Sequence, residues 1–410
     1  MDIGTDPDHT PARLRDLVVE LLTDGGSSHA ENTPFAGAGR SGVDVVSNPL
    51  RGRGLSDRTG LPSRRLRSDP SGALALLARC PAHAPTPFHT LPPLAQRLGV
   101  GQLHCKDERS RMGLGSFKAL GAGYVIAGMA TGRVERPGEP VSAEALATAL
   151  NGTVLVCASA GNHGMSVAAA AALFGAEARI YLSETVPEAF AQRLRARGAT
   201  VVRAGADYEA SMATAERDAD AAAHRGWVLL SDSSWPGYLE IPARVMEGYL
   251  VLAAEMVDAI DPAATHVILQ AGVGGLAAAV ATLVRDRWGQ GPQIVVVEPS
   301  RAPALQASIR AGRSVTAPGP VSSMGRLDCK DPSLLALDEL ARSADHFVTL
   351  QDEEVAETVA LLRTYGIDTT PSGAAGVAAV HHAGPHRTVL GLDGDSRVAA
   401  IITEAPEDAA

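Results

Sequence analysis

Apolar positions along this chain fall into two alternating patterns from about residue 121 onward. Short continuous apolar runs lie at 153–157, 179–182, 200–202, 227–230, 266–270, 293–297 and 398–402. Between them, apolar residues recur at helical spacing over 165–174, 187–197, 208–224, 240–260, 276–286, 303–311 and 334–343. Pro187 and Pro303 stand where a first turn tolerates proline, and Gly198 stands where a helix stops. A continuous run suits a strand buried on both faces, so the alternation predicts parallel sheet with helices on each side. Upstream, 101–108 reads as a strand, and 71–78 and 93–98 read as short helices. Leu120, Tyr124, Val125, Ile126 and Met129 give the stretch after Lys118 a helical period. Residues 1–70 lack such patterning. A short helix is predicted at 13–22, and the remainder, rich in Gly, Ser, Pro and Arg, reads as an arm. Its basic stretch, 51–67, reads as a solvated segment folded over the body.

Composition narrows the class. With 410 residues, two domains are the first expectation, and 45% hydrophobic with 20% charged residues is a globular balance. A net charge of -10 argues against nucleic-acid or anionic-membrane partners. Cys80, Cys105, Cys157 and Cys329 show no paired spacing, so neither a disulfide framework nor a metal site is expected. No signal segment and no long uncharged apolar run is seen, which makes a cytoplasmic enzyme the working class.

Three loops carry candidate chemistry, each at the carboxyl end of a strand, where open α/β sheets place ligands. Lys118, in Gly115-Ser116-Phe117-Lys118, is expected in the first turn of a helix with Ser116 as N-cap. A cation there opposes the helix dipole, which predicts a lowered amine pKa suited to Schiff-base chemistry. The second loop is Ser159-Ala160-Gly161-Asn162-His163-Gly164, whose amides can bind a carboxylate. The third is Gly272-Val273-Gly274-Gly275, whose amides can close around a phosphate. Its rival reading is a dinucleotide fingerprint, with Glu298 as the acid.

Together the three loops resemble the tryptophan synthase β-subunit-like, or fold type II, pyridoxal-phosphate enzymes. The resemblance implies two doubly wound parallel-sheet α/β domains: 71–120 with 235–405 as a large cofactor domain, and 121–234 as a small domain closing over the substrate. It implies pyridoxal 5'-phosphate on Lys118, with Asn162 at the phenolic oxygen. Gly272, Val273, Gly274 and Gly275 would hold the phosphate and Thr403 would face the pyridine nitrogen. Ser159, Ala160, Gly161, Asn162 and His163 would hold the substrate carboxylate. A neutral partner such as Thr403 leaves the ring a moderate electron sink, suited to elimination and replacement.

Further segments resemble the diaminopropionate ammonia-lyase family over about 70 to the end. These are Cys105-Lys106-Asp107-Glu108, 231–238, Ile241-Pro242, Met246-Glu247-Gly248-Tyr249 and Gln270-Ala271-Gly272-Val273-Gly274. The family implies a homodimeric lyase that removes ammonia from 2,3-diaminopropionate, biased here to the L-isomer, giving pyruvate and ammonia. Two departures stand out. Ala160 occupies the position of a family aspartate that acts as base, as in serine and threonine dehydratases; this bears on the route serving the D-isomer. Pro371 replaces the acid before Ser372-Gly373-Ala374. Asp232 is the retained acid/base, with capping of the turn before Trp235 as its alternative role. Alternatives are a serine/threonine dehydratase, a β-replacement synthase and a catalytically inactive cofactor-binding protein.

Overall fold

The computed structural model describes residues 42–406 apart from 59, 62–65 and 137–140, so the helix expected at 13–22 lies outside the described residues. Two sheets organise the chain. The strands are β1 (Asp44–Ser47), β2 (Phe88–Thr90), β3 (Gln102–Asp107), β4 (Val154–Cys157), β5 (Glu177–Leu182), β6 (Thr200–Arg203), β7 (Trp227–Leu229), β8 (His266–Gln270), β9 (Gln293–Pro299), β10 (His346–Leu350) and β11 (Arg397–Ile402). The larger sheet runs β1-β10-β9-β8-β11-β3-β2, and the smaller runs β6-β5-β4-β7. All pairings are parallel except the two edges of the larger sheet, where β1 meets β10 and β2 meets β3 antiparallel. Strands β4, β8 and β10 are buried along their whole length, which is why their apolar runs do not alternate.

The helix Lys118–Val134 packs on two neighbours, Glu240–Ala259 and Asn162–Leu173. Its crossing with Glu240–Ala259 is backbone-close. A Cβ on Gly121 would come within 2.7 Å of Tyr249 and Val245, and one on Gly248 within 2.7 Å of the Leu120 carbonyl. A domain boundary at residue 120 therefore falls inside a helix, one whose apolar residues join a core running beneath both sheets. Val245, Met246, Tyr249, Leu250, Leu252 and Met256 are buried on its partner. Each such side chain contributes roughly 1.5–3 kcal/mol.

Two parts of the sequence reading change. Residues 44–47, read as arm, form an edge strand of the larger sheet, registered from Asp44 on Thr349 to Ser47 on His346. Asn48 fixes that edge: its side-chain amide donates to the carbonyls of Ala341 (3.0 Å) and Ala344 (2.7 Å), at the end of the helix Leu334–Ser343. Four residues in a Gly- and Arg-rich setting carry too little periodicity to be seen. Between 343 and 398 the sequence reading names no element, yet β10 and the helices Asp352–Arg363 and Pro371–His381 lie there. A capping box, with Gln351 at the N-cap and Glu354 three residues on, marks the first of these helices in the sequence.

Candidate active site

Lys118 is the first residue of its helix, but the cap is not the one expected. Phe117 occupies the N-cap without a side-chain bond. The Ser116 hydroxyl is buried and has no hydrogen-bond partner. Its residue is held instead by a backbone bridge to Glu404. The Lys118 ammonium pairs with the Asp232 carboxylate and lies over two rings, 5.2 Å from the Phe117 centroid and 5.8 Å from that of Tyr249.

This reverses the expected pKa. Burial opposes the charge on Lys118, but Asp232 and then the Tyr249 phenol outweigh it and raise the amine above its usual range. Asp232 moves the other way: burial opposes ionisation, and the Lys118 charge overcomes it and holds the carboxyl well below the usual range. The helix dipole is the weaker influence beside a carboxylate in contact. In the turn before Trp235, the Ser231 hydroxyl accepts from the Ser233 amide at 3.2 Å, and Trp235 stacks on Tyr238 at 4.4 Å.

The second loop links β4 to the helix Asn162–Leu173. A Cβ on Gly164 would lie 2.1 Å from the Ser159 carbonyl oxygen, so only glycine lets the loop close. The Ser159 hydroxyl accepts from the Gly161 amide at 3.3 Å. His163 Nε2 donates to the Leu230 carbonyl at 2.9 Å, and burial depresses the imidazole pKa. The ring is thus neutral, with Nδ1 buried and without a partner. The Asn162 side-chain amide donates to the Glu404 carboxylate. Ala160, Gly161, Asn162, Arg193, Arg326 and Glu404 line one cleft.

The third loop follows β8 and opens the helix Gly275–Trp288, which begins with no side-chain cap. Gly274 sits at φ +99°, in the left-handed region that favours glycine. A Cβ on Gly272 would lie 2.9 Å from Cys329 Sγ and 3.1 Å from the Arg326 carbonyl. Tyr249 connects this loop to Lys118, since a Cβ on Gly275 would lie 3.8 Å from its ring. The rival role for Glu298 fails on geometry. Its carboxylate is fully buried and accepts the amides of Leu305 (2.7 Å) and Gln306 (2.8 Å), at the start of the helix Ala304–Ala311. Thr403, at the end of β11, is buried, with its hydroxyl 3.5 Å from Gln270 Nε2.

Three features went unassigned in the sequence reading. Tyr249 lies in a quoted motif, without a role. Arg326 lies in a loop with no periodicity. Glu404 follows Thr403 directly, and its carboxylate binds Asn162 and accepts from the Thr370 hydroxyl, beside Pro371. Where the expected acid before Ser372 is missing, a carboxylate thus arrives from β11. Among the described residues no group of three or more His, Cys, Asp or Glu could hold a metal, and no helix is long and apolar enough to cross a membrane.

The pattern of the family described as "Pyridoxal-phosphate dependent enzyme" matches residues 80–404. The diaminopropionate ammonia-lyase of Salmonella typhimurium is 33% identical over 356 residues, covering 81% of this chain and 87% of that protein. The chain belongs to the diaminopropionate ammonia-lyase family of pyridoxal-phosphate dependent enzymes. Two solved structures of the Escherichia coli family member agree with the fold. The one in complex with D-serine has a TM-score of 0.79 at 29% identity, covering 90% of this chain and 95% of that one. The one in complex with an aminoacrylate-PLP azomethine reaction intermediate has a TM-score of 0.78 at 28% identity, with the same coverage. The family's cofactor fits the residues present. An uncapped helix start behind a glycine cradle suits a phosphate, and a half-buried lysine stands beside an acid. The Ser116 hydroxyl and His163 Nδ1 are buried polar atoms still lacking partners.

Proposed function

We propose that this protein eliminates ammonia from 2,3-diaminopropionate in a pyridoxal-phosphate-dependent reaction, giving pyruvate and ammonia, with preference for the L-isomer. The observation that carries the reading is the half-buried Lys118–Asp232 pair beside an Asn-His carboxylate loop, in a chain matching that lyase over four-fifths of its length. The bound cofactor supplies an electron sink for the α-carbon.

The protein's residues supply the rest. Amides of the Ser159–His163 loop hold the substrate carboxylate at a helix N-terminus. The neutral Lys118 amine would take the α-proton at Nζ, and the Asp232 carboxylate beside it would hold the ammonium so formed. The same proton then passes from Nζ to the β-amino group, which departs as ammonia. A second ammonia is released when the resulting enamine is hydrolysed. Ala160 cannot take a proton, so one face of the α-carbon has no base, and this supports the L-preference. The phosphate would lie on Gly272, Val273, Gly274 and Gly275, and the ring between Asn162 and Thr403.

The same reading treats residues 121–234 as the part that closes over the substrate, and takes the enzyme to be a cytoplasmic homodimer. A second reading, dehydration of serine or threonine, is favoured by one observation, Ala160 lining the cleft. Pyruvate and 2-oxobutyrate release from D- and L-diaminopropionate, serine, threonine and O-acetylserine separates the two. L-Diaminopropionate is expected to be the best substrate. Faster turnover of serine or threonine would move the assignment to the dehydratase, and a yellow protein inert to all five would leave only cofactor binding. Lys118→Ala protein is expected to be colourless and inactive.

A further inference from the structure

The carboxylate of Glu404 is buried, its side chain 4% exposed, just beyond the end of β11, which lies between β8 and β3 in the larger sheet. Each of its oxygens has a defined neighbour. Oε1 accepts from the Thr370 hydroxyl, which also accepts the Gly373 amide as N-cap of the helix Pro371–His381. Oε2 accepts from the side-chain amide of Asn162 and has Arg326 Nε at 3.9 Å. The backbone around it is equally tied, with the Glu404 carbonyl accepting from Thr369 Oγ1 and the Ala405 amide donating to the Gly115 carbonyl at 2.9 Å. Both side-chain oxygens of Glu404 thus serve as acceptors, Oε1 towards Thr370 and Oε2 towards Asn162.

That chemistry acts on Asn162. A side-chain amide has two faces of nearly equal shape, one an acceptor and one a double donor, and nothing in its own sequence position selects between them. Facing Glu404, it must present its NH2, and one N–H remains uncommitted. Asn162 is the residue assigned above to the phenolic oxygen of the cofactor, an atom that needs a donor when ionised.

We propose that Glu404 is a positioning residue for Asn162, fixing the amide so that a donor rather than an acceptor is available to the cofactor's phenolic oxygen. The proposal rests on the cofactor reading given above. It assigns Glu404 no contact with substrate or cofactor.

Glu404→Gln keeps size and shape and changes only the donor pattern. Its Oε1 can still accept from Thr370, which turns its NH2 towards Asn162 and forces that amide to rotate and present oxygen. Thr370→Val removes the other bond and leaves Asn162 facing a carboxylate. The three proteins, loaded with pyridoxal phosphate, are compared by absorption at one pH, where the ring form with an ionised phenolic oxygen absorbs in the visible and the protonated form in the near-ultraviolet. Melting of the cofactor-free proteins is followed in parallel.

Glu404→Gln is expected to lower the visible-to-near-ultraviolet ratio about tenfold, the effect of losing one hydrogen bond to a charged atom. Thr370→Val should retain the wild-type ratio even if its melting temperature falls. A wild-type ratio in Glu404→Gln, or an equal shift in Thr370→Val, overturns the proposal. If Glu404→Gln yields no soluble protein, the Thr370→Val spectrum decides: a wild-type ratio upholds the proposal and a shifted one overturns it. A wild-type protein with no visible band dependent on Lys118 would instead defeat the cofactor reading, and the two failures are distinguishable.

Discussion

Asp232→Asn leaves Lys118 beside a neutral amide, which removes the charge that holds the proton at Nζ on its way from the α-carbon to the leaving amine. The turnover of L-diaminopropionate is expected to fall about 10²–10⁴-fold, the usual contribution of a positioned acid or base, with the soluble fold retained. Steady-state pyruvate release measures this, and a loss of less than about tenfold would remove Asp232 from the mechanism. Ala160→Asp tests the opposite face. The added carboxylate enters the cleft lined by Gly161 and Asn162 and should raise turnover of the D-isomer relative to the L-isomer; an unchanged ratio would show that stereochemistry is set elsewhere. The positions of the three loops were legible because each sits in a local pattern: a lysine at a helix start, glycines after a strand, an asparagine opening a helix between them. The sign of the Lys118 shift was not legible, because a helix-end argument sees the dipole and not a carboxylate 114 positions along the chain. Glu404 was missed for the same reason, its partner Asn162 lying 242 positions away.

Among elements, the start of the helix Gly275–Trp288 is the most exacting. Gly272→Ala places a methyl 2.9 Å from Cys329 Sγ and 3.1 Å from a carbonyl, a clash worth about 1–3 kcal/mol. Cofactor affinity should fall roughly ten- to hundredfold, measured by titrating the cofactor-free protein; unchanged affinity would show the loop can give way. The neighbouring helix, Ala304–Ala311, bears on the same loop, since its Leu305 lies 3.1 Å from where a Cβ on Gly274 would be. Its N-terminal amides rest on Glu298, whose carboxyl is pushed up to about 8 by burial, against the pull of those amides. The folded protein therefore holds that proton more tightly than the unfolded chain. The associated stability is complete below the ordinary carboxylate value near ~4.3 and is lost as pH rises towards 8. Wild type should lose melting temperature between pH 5 and 8 relative to Glu298→Gln, and parallel profiles would contradict this. Helices and buried strands in the middle of the chain were legible from period alone. Edge strands of three or four residues, β1 and β2, were not, because pairing rather than pattern defines them.

At the scale of the molecule, both edges of the larger sheet come from early in the chain and its interior from later. A chain starting at residue 42 retains β1 and Asn48 and serves as the reference. One starting at residue 70 loses the edge and the bonds from Asn48 to Ala341 and Ala344, a loss of ~2–4 kcal/mol that denaturant titration would register. Equal midpoints would mean the edge is dispensable. The fold class was legible here because alternation of strand and helix permits few arrangements. The strand order was not, since β11, last in sequence, pairs with β8 and β3 near the middle. That insertion governs the order of biosynthesis. While the ribosome still holds residues 397–404, β3 and β8 face a gap, and Thr403 and Glu404 have not reached Gln270 and Asn162. The nascent chain can fold the smaller sheet from residues 154–229 as it emerges. The catalytic centre cannot assemble before residues 397–404 are free to insert, and until then two strand edges stay exposed. A chain truncated before residue 397 keeps both edges exposed for good.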